Sequence, residues 1–461
     1  MNIKSMSQDE KVKYMTAAPV APLITKLAVP TIISMLVSSA YNMVDTMFVG
    51  KINTQSTGAV GIAFSVMALL QAVGFFFGHG SGNSMSRKLG SRDYEGAQHM
   101  AATGFFSALF SGCVIGILGV IFITPICRFL GSTETILPYA KAYIRILFLG
   151  TPFILGSFVI NNQMRFQGCA GYAMFGIISG AVLNIALDPV FIFWFDMGIS
   201  GAALATVLSQ ATAFFVLLIL NRHFGTIKIR WGDFKLDSEY YKEIFKGGIP
   251  SLCRQGIGSV AIVCLNYAAG KYGGNLADET IAAMGVVSRI TMFVNSALIG
   301  FGQGFQPVCG TNFGAKKYSR VSEAYYFCVK VGTLALIALA SAELIFAEPL
   351  IEIFRDDPTV IEIGVFALRA QTIVFPLNAV IVMCNMMLQT IGYSFMATLV
   401  SSARQGLFFI PLIFALPYFM GVRGVQICQM VADVLTFILA LPVAIYVTKK
   451  LEQMSIKMNV K

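Results

Sequence analysis

Twelve long apolar runs, separated by short polar segments, constrain the fold of this chain more than any other feature. One of them, residues 100–124, contains no charged side chain at all. A helix needs about 20 predominantly apolar residues to cross a lipid bilayer. Of all residues 56% are hydrophobic and only 12% are charged, whereas soluble domains have roughly 25% charge. The sequence therefore predicts an all-α integral membrane protein, with spans at 23–49, 57–86, 97–124, 137–161, 166–194, 198–221, 246–270, 278–305, 321–347, 361–388, 392–419 and 422–448.

Lysine and arginine are distributed unevenly between the two sides that these spans define. If the N-terminus is cytoplasmic, 21 basic residues fall on cytoplasmic segments and five fall on outer loops. Because basic residues accumulate on the cytoplasmic side, this predicts a multi-pass protein of the plasma (inner) membrane with both termini in the cytoplasm. The net charge of +10 then reflects topology, and no binding to nucleic acid is predicted.

The two halves of the chain repeat their helix-breaking residues in the same order. Each half contains six predicted spans, so both halves enter the membrane from the same side. This predicts two six-helix bundles related by a pseudo-two-fold axis along the membrane normal, with a first lobe at 1–222, a cytoplasmic linker at 223–245 and a second lobe at 246–461. The matching residues, at offsets of 220 to 224, are Pro30 with Pro250, Pro152 with Pro376, Pro189 with Pro411, and Gly78, Gly80 and Gly82 with Gly300, Gly302 and Gly304.

Two acidic residues lie within predicted spans of the first half. Asp45 is in helix 1, within YNMVDTMFVG, and Asp188 is in helix 5, within LNIALDPVFIF. Tyr41 and Asn184 precede them by four residues and therefore share their helical faces. Ionisable side chains inside a bilayer are costly and usually face a cavity or a partner. Carboxylate, amide and hydroxyl groups together suit a proton or Na⁺ site; the alternative is that each acid merely ends its helix near the membrane surface.

Two prolines are candidate hinges in the helices that carry these acids. Pro189 directly follows Asp188 and frees the carbonyl of Ile185 one turn earlier, as a ligand or a hinge. Pro30 lies in helix 1. We expect both helices to bend or shift at these points.

Basic residues dominate the intramembrane charges of the second half. These residues are Arg254, Arg289 and Arg404. One interpretation is structural, with the arginines paired to Asp433, Glu343 or backbone carbonyls. The other is that they line a substrate cavity and receive an anionic group.

Motifs for catalysis or nucleotide binding are missing from the sequence. The run GHGSGN at 78–83 ends an apolar helix, whereas a dinucleotide fingerprint follows a strand, and no G-x-x-x-x-G-K-[ST] loop occurs. The three histidines lack metal-ligand spacing, and the cysteines lie mostly in apolar runs. We therefore expect no enzymatic activity, no cofactor and no use of ATP, so that an ion gradient, a partner or the substrate's own gradient supplies the energy.

Together these features resemble the multidrug and toxic compound extrusion (MATE) antiporters. The resemblance rests on the two six-span repeats, on YNMVDTMFVG in helix 1, GSRD after helix 2, LNIALDPVFIF in helix 5 and MGISGAALATVLSQ in helix 6, and it extends over essentially the whole chain. It implies a V-shaped pair of bundles around a cleft that opens alternately to each side. It also implies export of organic cations in exchange for protons or sodium ions.

The resemblance further implies which residues couple ions to transport. Family members with an acidic first lobe use a helix 1 Asp, a helix 5 Asn and Asp, and a helix 6 Thr. These match Asp45, Asn184, Asp188 and Thr206, with Tyr41 beside them, and Na⁺ would bind at Asp45, Asn184 and Asp188. The family's other site, a helix 7 Glu and a helix 10 Asp, is replaced here by neutral residues at 256–259 and 371–389.

The predicted function is secondary antiport by a monomer in the lipid bilayer, exporting amphipathic or cationic organic compounds in exchange for H⁺ or Na⁺. A flippase or exporter of lipid-linked or anionic substrates, from the same wider superfamily, stays open as an alternative because it would suit the arginines. A membrane sensor or scaffold also stays open, but it has no use for paired acids within the bilayer.

Overall fold

The structure, a computed structural model, describes residues 7–50 and 52–459, and within these ranges it contains helices and no β-strand. Twelve of its helices are long and apolar enough to cross a membrane, which confirms the predicted number. Lys4, Lys51 and Lys461, three residues of the orientation prediction, lie outside the described residues. Numbered 1 to 12 in chain order, the spanning helices are Val20–Gly50, Gln55–Gly90, Tyr94–Ile121, Leu137–Phe166, Ala170–Trp194, Gly198–Phe224, Ser238–Tyr272, Gly274–Gly314, Tyr318–Ile345, Pro358–Ile391, Ser394–Met420 and Val422–Met458.

Three short α-helices lie outside the spans: Gln8–Ala17 precedes helix 1, Ile123–Phe129 follows helix 3, and Ala347–Glu352 follows helix 9. A 3₁₀ turn, Trp231–Asp233, lies between helices 6 and 7. Helix 7 begins at Ser238, earlier than the predicted 246. The reason is a cap, since Asp237 accepts a hydrogen bond from the backbone N–H of Glu239 at 3.0 Å and so satisfies one of the free donors at the helix start.

The two halves repeat the same helix packing. Helix 4 packs against helices 2, 3 and 6, and helix 10 packs against helices 8, 9 and 12. Asn161 of helix 4 donates to the carbonyl of Ala173 at 3.0 Å. Asn385 of helix 10 donates to the carbonyl of Ala397 at 2.7 Å, across the same separation of 12 residues. These equivalent contacts confirm the predicted pair of six-helix bundles.

The two lobes contact each other toward one end of the bundle. We call this end, which carries the chain between helices 6 and 7, the linker side, and the opposite end the far side. Helix 1 packs against helix 8, and helix 7 packs against helix 2. The hydrogen bonds between lobes in the described ranges lie in the middle or linker-side half of the helices, so the lobes separate toward the far side. They join Thr31 to Gly300, Ser39 to Ser296, Gln71 to Gln255, His79 to Ser251, Arg87 to Thr390 and Glu243, Ser107 to Tyr241, Met15 to Asn312, Thr16 to Lys317 and Ala18 to Arg320.

Helices 2 and 8 cross in direct contact at their linker-side ends. A Cβ atom added at Gly314 would collide with the backbone carbonyl of Arg87, and one added at Gly90 would collide with the carbonyl of Thr311. Both obstacles are backbone atoms that cannot rotate away. The crossing therefore requires glycine on both helices.

Replacing Gly314 by alanine is expected to force this crossing apart and to open the linker side. Spin labels at Glu134 and Asp356, on exposed far-side loops of the two lobes, should then lie closer together than in the wild-type chain, as measured by double electron–electron resonance. Gly285→Ala is the matched control, because a Cβ at that position of the same helix meets nothing within 4 Å. An unchanged distance distribution in Gly314→Ala would contradict the assigned role of this crossing.

Candidate ion-coupling site

The first lobe brings the acids predicted from the sequence into one pocket in its far half. The carboxyl groups of Asp45 on helix 1 and Asp188 on helix 5 are adjacent, close enough to interact as hydrogen-bonding groups. Asn184, one turn before Asp188, donates from Nδ2 to Asp188 Oδ1 at 3.2 Å. Asp188 and Asn184 are buried and Asp45 is partly exposed. Neither acid stands alone at a helix end.

Two further residues that sequence reasoning missed complete the pocket. The buried Tyr143 of helix 4 lies beside Thr206 and within electrostatic range of both carboxyl groups. The side chain of Gln210 lies beside that of Tyr41. Gln210 follows Thr206 by four residues, so helical spacing could have indicated it. No spacing in the sequence indicates that Tyr143 belongs to the pocket, because its position there depends on how helix 4 packs against helix 6.

Three oxygen atoms of this pocket have no hydrogen-bond donor in the described structure: Asp45 Oδ1, Asp188 Oδ2 and Asn184 Oδ1. Ionised carboxylates can only accept hydrogen bonds. Two of them in contact, away from water, repel each other unless a proton or a cation lies between them. The pocket therefore has the chemistry of a proton or Na⁺ site.

The oxygen atoms of these side chains also suit a sodium ion, because Na⁺, like other hard cations, binds oxygen ligands. The carboxylates of Asp45 and Asp188 and the amide oxygen of Asn184 would hold it. No group of three His, Cys, Asp or Glu side chains that could hold a metal ion occurs among the described residues. A sodium ion at this place would thus depend on neutral oxygen ligands beside the two carboxylates.

The second lobe contains a buried carboxyl group whose hydrogen bonds are all made. Arg404 donates from Nε to Asp433 Oδ1 at 2.7 Å and from Nη2 to Oδ2 at 3.1 Å. Gln429 donates to Oδ1 at 2.7 Å, and Asn378 donates to Oδ2 at 3.2 Å. Arg404 is thus paired with Asp433, one of the partners that the sequence suggested for a structural arginine. Four donors, one of them a guanidinium group of opposite charge, already surround this carboxylate, so this cluster differs from the first-lobe pocket, whose oxygen atoms lack donors.

The other two arginines of the second lobe lie where the lobes face each other. Arg289 is exposed and shares a face of helix 8 with Ser296 and Gly300, which contact helix 1 nearer the linker side. Arg254 follows Ser251 by one turn, and Ser251 contacts the first lobe. Neither arginine forms an ion pair with a described acid.

Both candidate hinge prolines lie inside helices that border the site. Helix 1 continues through Pro30, and the next residue, Thr31, donates its hydroxyl to the carbonyl of Gly300 on helix 8 at 2.6 Å. Helix 5 changes from an α-helix to a π-helical turn directly after Pro189, at Val190–Trp194. A proline removes one backbone hydrogen bond, so each helix has a local weak point, beside the pocket at Pro189 and at the contact with helix 8 at Pro30.

A family model described as MatE matches this chain twice, at residues 30–190 and 257–415. Each match covers most of one lobe, in agreement with the internal repeat. The multidrug export protein MepA of Staphylococcus haemolyticus (strain JCSC1435) is 27% identical over 436 residues, which cover 94% of this chain and 95% of MepA.

Solved transporter structures share the fold over nearly the whole chain. One is described as the outward-facing conformation of a multidrug resistance MATE family transporter of the MOP superfamily. It matches with a TM-score of 0.90 and 26% identity, covering 96% of this chain and 99% of that one. A MOP superfamily transporter from Pyrococcus furiosus Vc1, described as having a reverse polarity of its binding pocket that suggests a different function, matches with a TM-score of 0.89, the same identity and the same coverage. The twofold family match, the fold and the paired bundles agree, and the chain belongs to the MATE family of membrane transporters.

Proposed function

We propose that this protein is a secondary antiporter that exports amphipathic or cationic organic compounds in exchange for H⁺ or Na⁺, coupled through Asp45 and Asp188. The contrast between the lobes carries the proposal. In the first lobe two adjacent carboxyl groups keep oxygen atoms without donors, whereas Asp433 of the second lobe accepts four hydrogen bonds, two of them from Arg404. The name of MepA as a multidrug export protein supports the substrate class.

The linker side is the cytoplasmic side in this proposal. Most of the basic residues of the loops and tails lie on that side, and basic residues favour the cytoplasm. The cleft between the lobes then opens outward in this structure. Protons or sodium ions from outside would reach Asp45, which is partly exposed, without a conformational change.

Helix 1 links the ion pocket to the contact between lobes. Its far half carries Tyr41 and Asp45, and on the linker side of these residues Thr31 holds helix 8 through the carbonyl of Gly300. Pro30 lies at this contact. Neutralising Asp45 and Asp188 removes the repulsion between their carboxylates. Helix 1 can then shift at Pro30, and helix 5 can shift at Pro189. The shift releases the substrate outward. By linkage, ion and substrate each lower the other's affinity.

An ion gradient is expected to drive substrate uptake into inverted membrane vesicles that contain this protein. Acid or Na⁺ inside the vesicles should drive inward movement of a fluorescent organic cation, because the vesicle interior corresponds to the cell exterior. Substrate-dependent ion release, measured first without and then with Na⁺, identifies the coupling ion. Uptake that depends on neither gradient would contradict the antiport proposal.

A second candidate function is the export or flipping of lipid-linked or anionic substrates. Two observations favour it: Arg254 and Arg289 face the other lobe without an acid partner, and the P. furiosus transporter is described as having reverse polarity in its pocket. Competition distinguishes the candidates. An amphipathic anion that inhibits uptake of the fluorescent cation more strongly than an amphipathic cation of equal size would favour this second function.

A further inference from the structure

The contact between the lobes contains buried nitrogen donors that have no acceptor. His79 of helix 2 is 1% exposed, and its Nδ1 lies 2.7 Å from the hydroxyl oxygen of Ser251 on helix 7. Gln389 of helix 10 donates to the same hydroxyl oxygen at 2.7 Å. The serine hydrogen is then free to donate to His79 Nδ1, which leaves the hydrogen of the imidazole on Nε2. His79 Nε2 has no partner in the described ranges.

A guanidinium group near this histidine is also underpaired. Arg165, in the last turn of helix 4, is 4% exposed. Its Nη2 donates to Asn162 Oδ1, but its Nε and Nη1 have no partner among the residues described. Arg165 and Arg254 both lie within electrostatic range of His79. Arg165, like Arg254, forms no ion pair with a described acid.

The fold itself does not need positive charge at these positions. The internal repeat places a neutral residue at each equivalent position of the other lobe. A buried charge without a counter-charge costs several kcal/mol or more, so a scaffold that accepts neutral residues gains no stability from the charges of Arg165 and Arg254 alone. The equivalent residues are Gln389 for Arg165, Ser34 for Arg254 and Phe301 for His79, at offsets of 224, 220 and 222 residues.

We propose that a small monovalent anion of the chloride class binds at this contact between the lobes, held by Arg165, His79 and Arg254. The anion accepts from the unpaired nitrogen donors and supplies the missing negative charge. The surrounding helices are in backbone contact, since a Cβ atom added at Gly80 would collide with the carbonyl of Ile244. Such close packing of the backbones disfavours a bulky organic anion at this contact. Because groups from both lobes form the site, the anion stabilises the arrangement in which the linker side is closed.

Radiolabelled chloride binding to the purified full-length chain in detergent tests the proposal, with gluconate keeping the ionic strength constant. The wild-type chain should bind chloride saturably. Arg165→Gln copies the equivalent Gln389. Its affinity for chloride should be lower than that of the wild type by about tenfold or more, because the loss of one hydrogen bond to a charged group costs about that much binding free energy. Arg145→Gln, an exposed arginine of the same helix, is the matched control and should bind as the wild type does.

Thermal unfolding provides a second readout and protects the test against a variant that fails to fold. Chloride should raise the unfolding midpoint of the wild-type chain and of Arg145→Gln, because a ligand that binds only the folded state stabilises it. The rise should be lost in Arg165→Gln and in His79→Phe, which copies Phe301. Wild-type binding no greater than that of protein-free micelles, or undiminished binding in both Arg165→Gln and His79→Phe, would overturn the proposal. No step of the test involves transport, so its outcome is independent of the antiport proposal.

Discussion

Asp45→Asn and Asp188→Asn are each expected to reduce gradient-driven export to the level of vesicles without the protein. Asparagine keeps the size of the side chain but neither carries a charge nor takes up a proton, so ion binding can no longer change the balance between conformations. The measurement is uptake of a fluorescent organic cation into inverted vesicles under a pH or Na⁺ gradient. Quantitative immunoblotting normalises the rates to the amount of protein in the membrane.

Stability separates this effect from misfolding. Asp188 Oδ2 and Asp45 Oδ1 have no donors, so either substitution should leave the thermal unfolding midpoint unchanged or higher, because it relieves the repulsion of two adjacent carboxylates. Asp278→Asn, at an exposed acid near the far end of helix 8, is the control and should transport normally. Wild-type rates in either pocket variant, at equal expression, would refute coupling through these carboxylates.

Asp433→Asn, unlike Asp45→Asn and Asp188→Asn, is expected to destabilise the fold. The substitution removes the only acid paired with Arg404 in the described structure and turns an amide donor toward groups that are themselves donors. Breaking a buried ion pair by removing one partner costs about 3–5 kcal/mol. The unfolding midpoint of the purified protein in detergent should therefore fall well below that of the wild-type chain.

An exposed ion pair offers the matched comparison. Arg128 donates to Glu134 at 3.0 Å, and both side chains are more than half exposed. Glu134→Gln should change the stability by no more than about 1 kcal/mol, since water screens such pairs. If Asp433→Asn unfolds at the same temperature as Glu134→Gln, the Arg404–Asp433 pair does not have the structural role assigned to it.

These paired predictions follow from one difference between two copies of the same scaffold. Asn184 and Asp188 of helix 5 are matched in helix 11 by Gly406 and Ile410. The second lobe instead places its acid on helix 12, where Arg404 of helix 11 neutralises it. The duplication thus preserved the packing of the helices but not the arrangement of the acids. Asp45 and Asp188 keep oxygen atoms without donors, whereas Asp433 is paired with Arg404.

Part of the site was predictable because it depends on spacing within single helices. Tyr41 with Asp45, and Asn184 with Asp188, share helical faces that the sequence shows directly. The contact between Asp45 and Asp188 depends on helix 1 packing against helix 5. That packing is set by the whole lobe, so only the resemblance to a family anticipated it.

The sequence did not predict which of the intramembrane arginines has an acid partner. Arg254, Arg289 and Arg404 look alike along the chain, yet only Arg404 has an acid partner in the described ranges. Arg165 is placed by the sequence among the basic residues of a cytoplasmic segment, but the structure buries it to 4% exposure. Its burial depends on the packing of helix 4 against helices such as helix 2, which lies far from it in sequence.

The sequence by itself determined the twelve spans, the duplication and the asymmetry of basic residues between the two sides. Each of these is a property of local segments, since hydropathy and helix-breaking residues act over one or two helices. Only the tertiary structure decided which buried charges are compensated. The free energy of a buried charge depends on the few atoms within hydrogen-bonding distance, and those atoms are supplied by other helices.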